Sequence, residues 1–403
     1  MTAQPTHLRR VLLYSHDTYG LGHLRRNLAI ARQLLGHRKG LQAVLLTGSP
    51  VADRFDRPAG LDLVRLPPVV KVGAERYKAR DGRYHFDLVR RARSAIILDT
   101  ARRLRPDVLL VDHAPQGMKG ELLPVFDELR ALSPSTRIVL GLRDVLDDPG
   151  TVRRTWQAQG TYETIASVYD HVLVYGDAEL LDVVDAYALP PAVAAKLTYC
   201  GYVCRPGSTT ASAEPHGDEP FVLGTAGGGG DGAKVLEATL EAAVQLGLRA
   251  RLVTGPLMDE PVRLRLVARA ERAGGRASVT ELVPDLGALM GRAAAVVTMG
   301  GYNTLCELVA SGSPAIVVPR VHPRREQAIR AQLFARRGAV SVVNPGPALE
   351  ARLAEALRTA LRAGPRRGPA TIPLEGLEHV DAAIERAARA VRSAALAHAG
   401  ARP

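Results

Sequence analysis

The sequence predicts an α/β protein built from two Rossmann-like domains, each with a parallel sheet covered by helices. Three observations predict this. The chain is 403 residues long, and domains usually hold about 100–200 residues. Short apolar runs alternate with helix-like stretches along nearly the whole chain, the pattern of a parallel sheet covered on both faces. The alternation breaks once, at the Pro-, Ser- and Gly-rich stretch 206–220, and then starts again.

In the first half, strands are expected at 10–15, 41–47, 61–65, 108–112, 137–142, 172–175 and 198–202. Helices are expected at 24–35, 88–104, 121–132 and 162–168. In the second half, strands fall at 221–223, 250–254, 277–280, 294–298, 314–318 and 340–343. Helices fall at 233–246, 263–273, 285–292, 302–311 and 324–337, with a long Ala-rich one near 380–397. The expected organisation is an N-terminal Rossmann-like domain over 1–205, a linker over 206–220, a second domain over 221–375 and a helical tail over 376–403.

Composition narrows the function. Hydrophobic residues make up 46% and charged residues 23%, ordinary values for a globular protein. No N-terminal stretch has the build of a signal peptide, and no apolar run approaches the roughly 18 residues of a spanning helix. The expected location is the cytoplasm. The three cysteines, Cys200, Cys204 and Cys306, make neither a disulfide framework nor a four-ligand zinc site, so no metal is expected. The net charge is +12, which suits nucleic acid, an anionic membrane or a phosphorylated ligand. With aromatic content at 4% and no nucleic-acid-binding motif, nucleic acid is excluded.

Three glycine turns carry the chemistry. The first, Thr18-Tyr19-Gly20-Leu21-Gly22-His23, lies between the first strand and helix, where free N–H groups favour an anion. His23 stands at the sheet edge where such folds bind ligands, and its ordinary pKa suits a proton acceptor. The second, Thr225-Ala226-Gly227-Gly228-Gly229-Gly230-Asp231-Gly232, lacks the Lys-Ser/Thr of a nucleotide P-loop. Four successive glycines are costly for a plain turn and suit close approach of a phosphate. The third, Thr298-Met299-Gly300-Gly301-Tyr302-Asn303-Thr304-Leu305-Cys306-Glu307, repeats the strand–glycine–helix plan. Asn303 or Thr304 could cap its helix, and Glu307 lies about one turn in. A tight turn without a ligand, and a solvated or capping role for Glu307, are the plain alternatives. The loop from Pro319 to Gln327 gathers Arg320, Glu326 and Gln327 beside these turns.

At these residues the sequence resembles a known family. Gly300-Gly301-Tyr302-Asn303-Thr304, Glu307, Gly312-x-Pro314, Pro319-Arg320, Glu326-Gln327, Ala331 and Gly338 resemble the C-terminal domain of glycosyltransferase family 28. That family includes the peptidoglycan N-acetylglucosaminyltransferase that forms lipid II. The likeness is specific over about 120 residues and extends back through 279–283 and Gly227–Gly230 to Gly20-x-Gly22-His23. The whole chain is similar to a bacterial group of glycosyltransferases related to that enzyme. The resemblance implies the GT-B fold, with two Rossmann-like domains facing across a cleft. It also implies a nucleoside-diphosphate sugar donor, UDP-linked, and metal-independent inverting transfer of a hexose or N-acetylhexosamine. Carried over, the main chain near Val283 meets the base and Glu307 the ribose. Gly301, Asn303 and Thr304 hold phosphates, and Glu326 and Gln327 meet sugar hydroxyls. Gly22 and His23 serve the acceptor or the leaving phosphate.

The sequence departs from the family at the all-Gly second loop with Asp231, and at Tyr302 and Asn303. The segments 111–115 and 141–144 do not match the relative's acceptor region, so the acceptor stays open between a lipid-linked compound, a polysaccharide precursor and a small molecule. His23 is the first candidate base, with Asp112, His113 and Asp144 as alternatives at strand ends. One rival reading is a nucleotide-sugar hydrolase, because Gly20-Leu21-Gly22-His23-Leu24-x-Arg26 also resembles the opening of the pseudaminic-acid-pathway hydrolases. Another is a non-catalytic nucleotide-sugar-binding protein. Lys71, Arg76, Lys78, Arg80, Arg83, Arg90, Arg91 and Arg93, set near Val69, Val70, Tyr77, Tyr84 and Phe86, point to peripheral contact with an anionic membrane face. A solvated loop and helix is the alternative.

Overall fold

A computed structural model describes residues 8–17, 21–73, 76–205, 219–365 and 372–399. Its residues group into two compact units, one holding 8–17, 23–203 and the residues from 375, the other 204–374 together with 21–22. The expected linker lies mostly outside the described residues.

Unit 1 runs β1 (Arg10–Tyr14), α1 (Gly22–His37), β2 (Gln42–Thr47), β3 (Leu61–Arg65), β4 (Val69–Gly73), β5 (Arg76–Ala79), α2 (Phe86–Leu104) and β6 (Val108–Asp112). It continues with α3 (Leu123–Leu132), β7 (Arg137–Arg143), α4 (Pro149–Ala158), α5 (Thr161–Val168), β8 (His171–Tyr175), α6 (Val183–Tyr187), α7 (Pro191–Ala194) and β9 (Leu197–Tyr199). Seven strands form one sheet in the order β3-β2-β1-β6-β7-β8-β9, and every pairing is parallel. β6 is buried at all five positions, as a central strand covered on both faces requires. Chain direction across the sheet reverses between β1 and β6, the place where doubly wound sheets open a crevice at their strand C-termini.

Unit 1 differs from expectation at the β4–β5 hairpin and at α4, α6 and α7, none of which the sequence pattern predicts. β4 and β5 form a separate antiparallel hairpin, where a loop was read. α4 was missed because Pro149-Gly150 looks like a break. Pro at the first helical position is compatible with a helix, and the Asp148 side chain caps it by accepting from the Thr151 N–H.

Unit 2 runs β10 (Phe221–Thr225), α8 (Ala233–Gln245), β11 (Arg249–Val253), α9 (Glu260–Glu271), β12 (Ala277–Thr280), α10 (Leu286–Arg292) and β13 (Ala295–Thr298). Then come α11 (Tyr302–Ser311), β14 (Ala315–Val317), α12 (Glu326–Arg336), β15 (Ser341–Val342) and α13 (Leu349–Ala363). Its six-stranded sheet has the order β12-β11-β10-β13-β14-β15, again all parallel. The reversal here lies between β10 and β13, the strands that lead into the second and third glycine turns.

The sequence pattern predicts a separate helical tail over 376–403; the structure has α14 (Gly376–Ala399) there. It packs on β6, β7 and β8 of unit 1. Arg38 at the end of α1 binds both Asp381 and Glu385, and His37 Nδ1 lies 2.9 Å from Asp381. Val203 and Glu375 form an antiparallel bridge where the chain leaves unit 1 and returns to it.

Candidate functional site

In unit 1 the strand C-termini on both sides of the reversal bring charged side chains together. His23, in the first turn of α1, is buried, as is Asp112 at the end of β6. His23 Nδ1 lies 2.5 Å from Asp112 Oδ2. The other carboxylate oxygen, Oδ1, accepts from Arg26 Nε at 3.0 Å and from Nη2 at 2.6 Å. Burial works to raise the Asp112 carboxyl, but the Arg26 and His23 charges outweigh it and hold its pKa down at about 2. Asp112 is therefore an acceptor only, so the shared proton sits on His23 Nδ1 and the lone pair on Nε2. Burial pushes His23 below the ordinary imidazole value, although Asp112 works against it. A neutral, oriented imidazole is a competent general base.

Two more imidazoles stand beside it. His16, just past β1, has its ring centroid 5.8 Å from that of His23, and His113 has its own at 5.2 Å. Burial, then the neighbouring His23, pushes His16 well below its ordinary value. His113 has φ +69°, a left-handed conformation uncommon for a residue other than glycine and a mark of local strain. Its Nε2 is 3.4 Å from Arg143 Nη2 at the end of β7. Asp144 is buried, and its Oδ2 accepts from the Tyr202 hydroxyl at 3.1 Å. Of the four sequence-derived candidates, His23 and Asp112 form a bonded pair, His113 lies next to them, and Asp144 is engaged with Tyr202.

Sequence reasoning missed His16, Asp17 and any role for Arg26. Asp17 is buried, and its Oδ2 accepts from Thr47 Oγ1 at 2.5 Å. The Arg26 contact had a local cue, because positions 23 and 26 share one helix face. Its partner lies 86 residues away. Gly22 opens α1, and Gly20 lies outside the described residues.

In unit 2 the groups on offer are backbone. α8, α11 and α12, the helices beside the glycine turns and the Arg320 loop, all begin without a side-chain cap. The cap position of α11 is Gly301, not Asn303 or Thr304 as expected. By contrast α10 is closed by Asp285, whose Oδ1 accepts from the Ala288 N–H at 2.9 Å. Uncapped first-turn N–H groups are anion donors. The two turns also meet. A Cβ on Gly227 would lie 3.7 Å from Thr304 Oγ1, and one on Gly301 3.9 Å from the same atom.

The four glycines are not equivalent. Gly229 has φ +99°, and a Cβ there would lie 2.3 Å from the Thr254 carbonyl oxygen, so packing against the turn after β11 demands glycine. Gly230 faces open space, and Gly228 is half-buried. Gly300, at φ +81°, leaves room for Val317. Glu307 is buried on α11, and Val283 is half-buried after β12. Arg320 ties the second turn to α12. Its Nη1 donates to Asp231 at 3.0 Å and its Nη2 to Glu326 at 2.9 Å, while its backbone N–H donates to Gln327 Oε1 at 3.0 Å. Glu326 and Gln327 are thus partly engaged inside the protein.

Known proteins match the chain at these turns. Residues 226–380 match the glycosyltransferase family 28 C-terminal domain. The chain is 32% identical over 138 residues to the UDP-N-acetylglucosamine--N-acetylmuramyl-(pentapeptide) pyrophosphoryl-undecaprenol N-acetylglucosamine transferase of Haemophilus ducreyi, covering 33% of this chain and 36% of that protein. The transferase of the same name from Brucella canis is 33% identical over 182 residues, 42% of this chain and 47% of that protein. The chain therefore aligns with about a third to a half of the length of these relatives. The structure of Acinetobacter baumannii MurG superposes with a TM-score of 0.56 at 15% identity, over 94% of this chain and 99% of that one. The likeness shows the fold: the GT-B architecture over nearly the whole chain.

Proposed function

We propose that this protein is a glycosyltransferase that moves a hexose or N-acetylhexosamine from a nucleoside-diphosphate sugar to a hydroxyl acceptor, with inversion and without a metal. The observation that carries the reading is the set of uncapped glycine turns at the reversal of the second sheet, inside the family 28 match. The relatives' names specify a UDP-linked donor, which supports uridine here. In this reading the first-turn N–H groups of α8 and α11 hold the diphosphate, with Gly227, Gly228, Gly230, Gly300, Gly301, Asn303 and Thr304 lining it. Val283 main chain meets the base, Glu307 the ribose, and Arg320, Glu326 and the Gln327 NH2 group the sugar.

Unit 1 supplies the base. His23 Nε2 takes the acceptor hydroxyl proton as that oxygen attacks the anomeric carbon. The bond from that carbon to the diphosphate oxygen breaks, and the diphosphate leaves with the electron pair. Helix N-termini stabilise the negative charge that develops, and Asp112 stabilises the imidazolium. The acceptor is a hydroxyl compound, lipid-linked or soluble. For a lipid-linked one, the exposed Val72, Tyr84 and Leu88, with Lys71 and Lys119 over the Tyr77 ring, form the membrane-facing patch. Arg93 leaves that patch, because it is wholly buried against Glu121. Binding of anionic vesicles that matched binding of neutral ones would remove the patch from this role.

A thermal-shift panel of nucleoside diphosphates and their sugars tests the central claim. A ligand at 100 times its Kd stabilises by about 2.7 kcal/mol. One base is expected to shift the melting temperature, and no shift with any of them overturns the reading.

A further inference from the structure

Arg26 is a charged group in direct contact with the His23–Asp112 pair for which the transfer chemistry has no direct use. Its side chain is wholly buried, which is costly unless the charge is paired and held. Two of its nitrogens converge on one oxygen of Asp112. Its guanidinium carbon lies 5.4 Å over the Tyr175 ring. Tyr175 in turn fills the space left by Gly141, where a Cβ would fall 2.0 Å from the Tyr175 hydroxyl. Gly141, Tyr175, Arg26, Asp112 and His23 thus form a packed series across β7, β8, α1 and β6.

We propose that Arg26 is a positioning residue: by occupying Asp112 Oδ1 it leaves Oδ2 for His23 Nδ1, and so fixes the ring's orientation and the tautomer with its lone pair on Nε2. The inference rests on the reading of His23 as the base. A carboxylate beside an imidazole has two opposite effects. It orients the ring, and it raises the ring's proton affinity, which at neutral pH would fill the lone pair that the base needs. Arg26 separates these effects. Its Nη2 lies 3.2 Å from His23 Nδ1, so its charge opposes protonation of the ring while its hydrogen bonds hold Asp112 ionised. The other charged or titratable groups around His23 are His16 and Asp17 past β1, His113 past β6, and Arg143 at the end of β7. Burial and the charges of Arg143 and Arg26 lower the imidazole's pKa, against Asp112.

The test reads the imidazole itself. Long-range proton–nitrogen NMR of protein labelled at histidine nitrogen, with H23A to assign the resonance, gives the tautomer and titration of His23 without any substrate. The wild type is expected to show the Nδ1–H tautomer and to titrate below free imidazole. R26Q loses the charge, and its His23 is expected to titrate at higher pH. R26K keeps the charge but loses the fork, and is expected to titrate near the wild type with both tautomers present. A folded R26Q with unchanged tautomer and titration overturns the proposal. If R26Q does not fold, as judged by near-ultraviolet circular dichroism, R26K decides: an unmixed Nδ1–H tautomer there overturns it. Failure here leaves the transferase reading standing, whereas a nucleotide panel without a shift sinks that reading and leaves the imidazole result untouched.

Discussion

The two units share a strand order and a point of reversal, yet they furnish that point in opposite ways. Unit 1 fills it with side chains: His16, His23, Asp112, His113 and Arg26 lie within a few ångströms of one another. Unit 2 leaves it to the main chain, with glycines at the turns and two helices, α8 and α11, without side-chain caps. On the proposed reading, one topology serves proton chemistry where its turns carry side chains and anion binding where they expose N–H groups. The side-chain site should break when a side chain is removed, and the backbone site when one is added.

The largest expected effect is at His23. Its replacement by alanine should lower turnover by about 10²–10⁴-fold, the usual range for a general base, and leave the thermal shift given by the nucleoside diphosphate unchanged. Turnover equal to the wild type would end the comparison on the unit 1 side.

Gly229 and Gly230 come next, and they separate packing from ligand approach. Gly229→Ala should destabilise unit 2 by about 2–4 kcal/mol in denaturant unfolding, because both its φ and its contact with the Thr254 carbonyl forbid a Cβ. Gly230→Ala should change stability by less than about 0.5 kcal/mol, yet weaken diphosphate binding by about fivefold, or about 1 kcal/mol. Equal affinity in Gly230→Ala would take that position out of the phosphate site.

Acid should affect unit 1 first. His16 and His23 are held neutral by burial and titrate below the unfolded value of about 6.5. Below that pH the unfolded chain takes up protons that the folded one refuses, so stability is full above about 6.5 and falls on acidification by up to about 1.4 kcal/mol per pH unit per group. Asp112 acts later. Its contribution is full above about 4 and is lost as pH falls toward about 2. His16→Gln should flatten the first decline in melting temperature between pH 6.5 and 5, and an identical slope would show that His16 is not the group responsible.

The smallest stability effect sharpens the comparison most. Gly301 has φ −62° and ψ 146°, which an aspartate can adopt, and a Cβ there meets only Thr304 Oγ1 at 3.9 Å. Gly301→Asp should cap α11, gain a few tenths of a kcal/mol and abolish the diphosphate thermal shift. A retained shift would mean that the α11 N–H groups are not the anion donors.

Most strands were legible, because buried parallel strands are short apolar runs and their residues say so locally: 61–65 and 108–112 were read at their observed limits. The glycine turns were legible for the same reason. What depended on distant partners was not. Nothing near Asp112 announces that His23 and Arg26 will bind it. Arg93 looked like a solvated cation among others until Glu121, 28 residues on, buried it. Gly229 looked like a phosphate glycine, and its packing against Thr254 has no trace in local sequence. In the hairpin, β5 (Arg76-Tyr77-Lys78-Ala79) has one strand-favouring residue among two charges, so the partner of the Val-rich β4 is not announced locally.

The return of α14 to unit 1 bears on the order in which the protein matures. Unit 2 draws all its strands and helices from one continuous stretch, but unit 1 lacks the helix α14 until the residues after 375 are made. Synthesis from the N-terminus usually lets the first domain fold first. Here the second-made unit can be finished while the first still waits for Asp381 and Glu385 to reach Arg38. On the ribosome, protease resistance is accordingly expected to appear in 221–363 before 8–203.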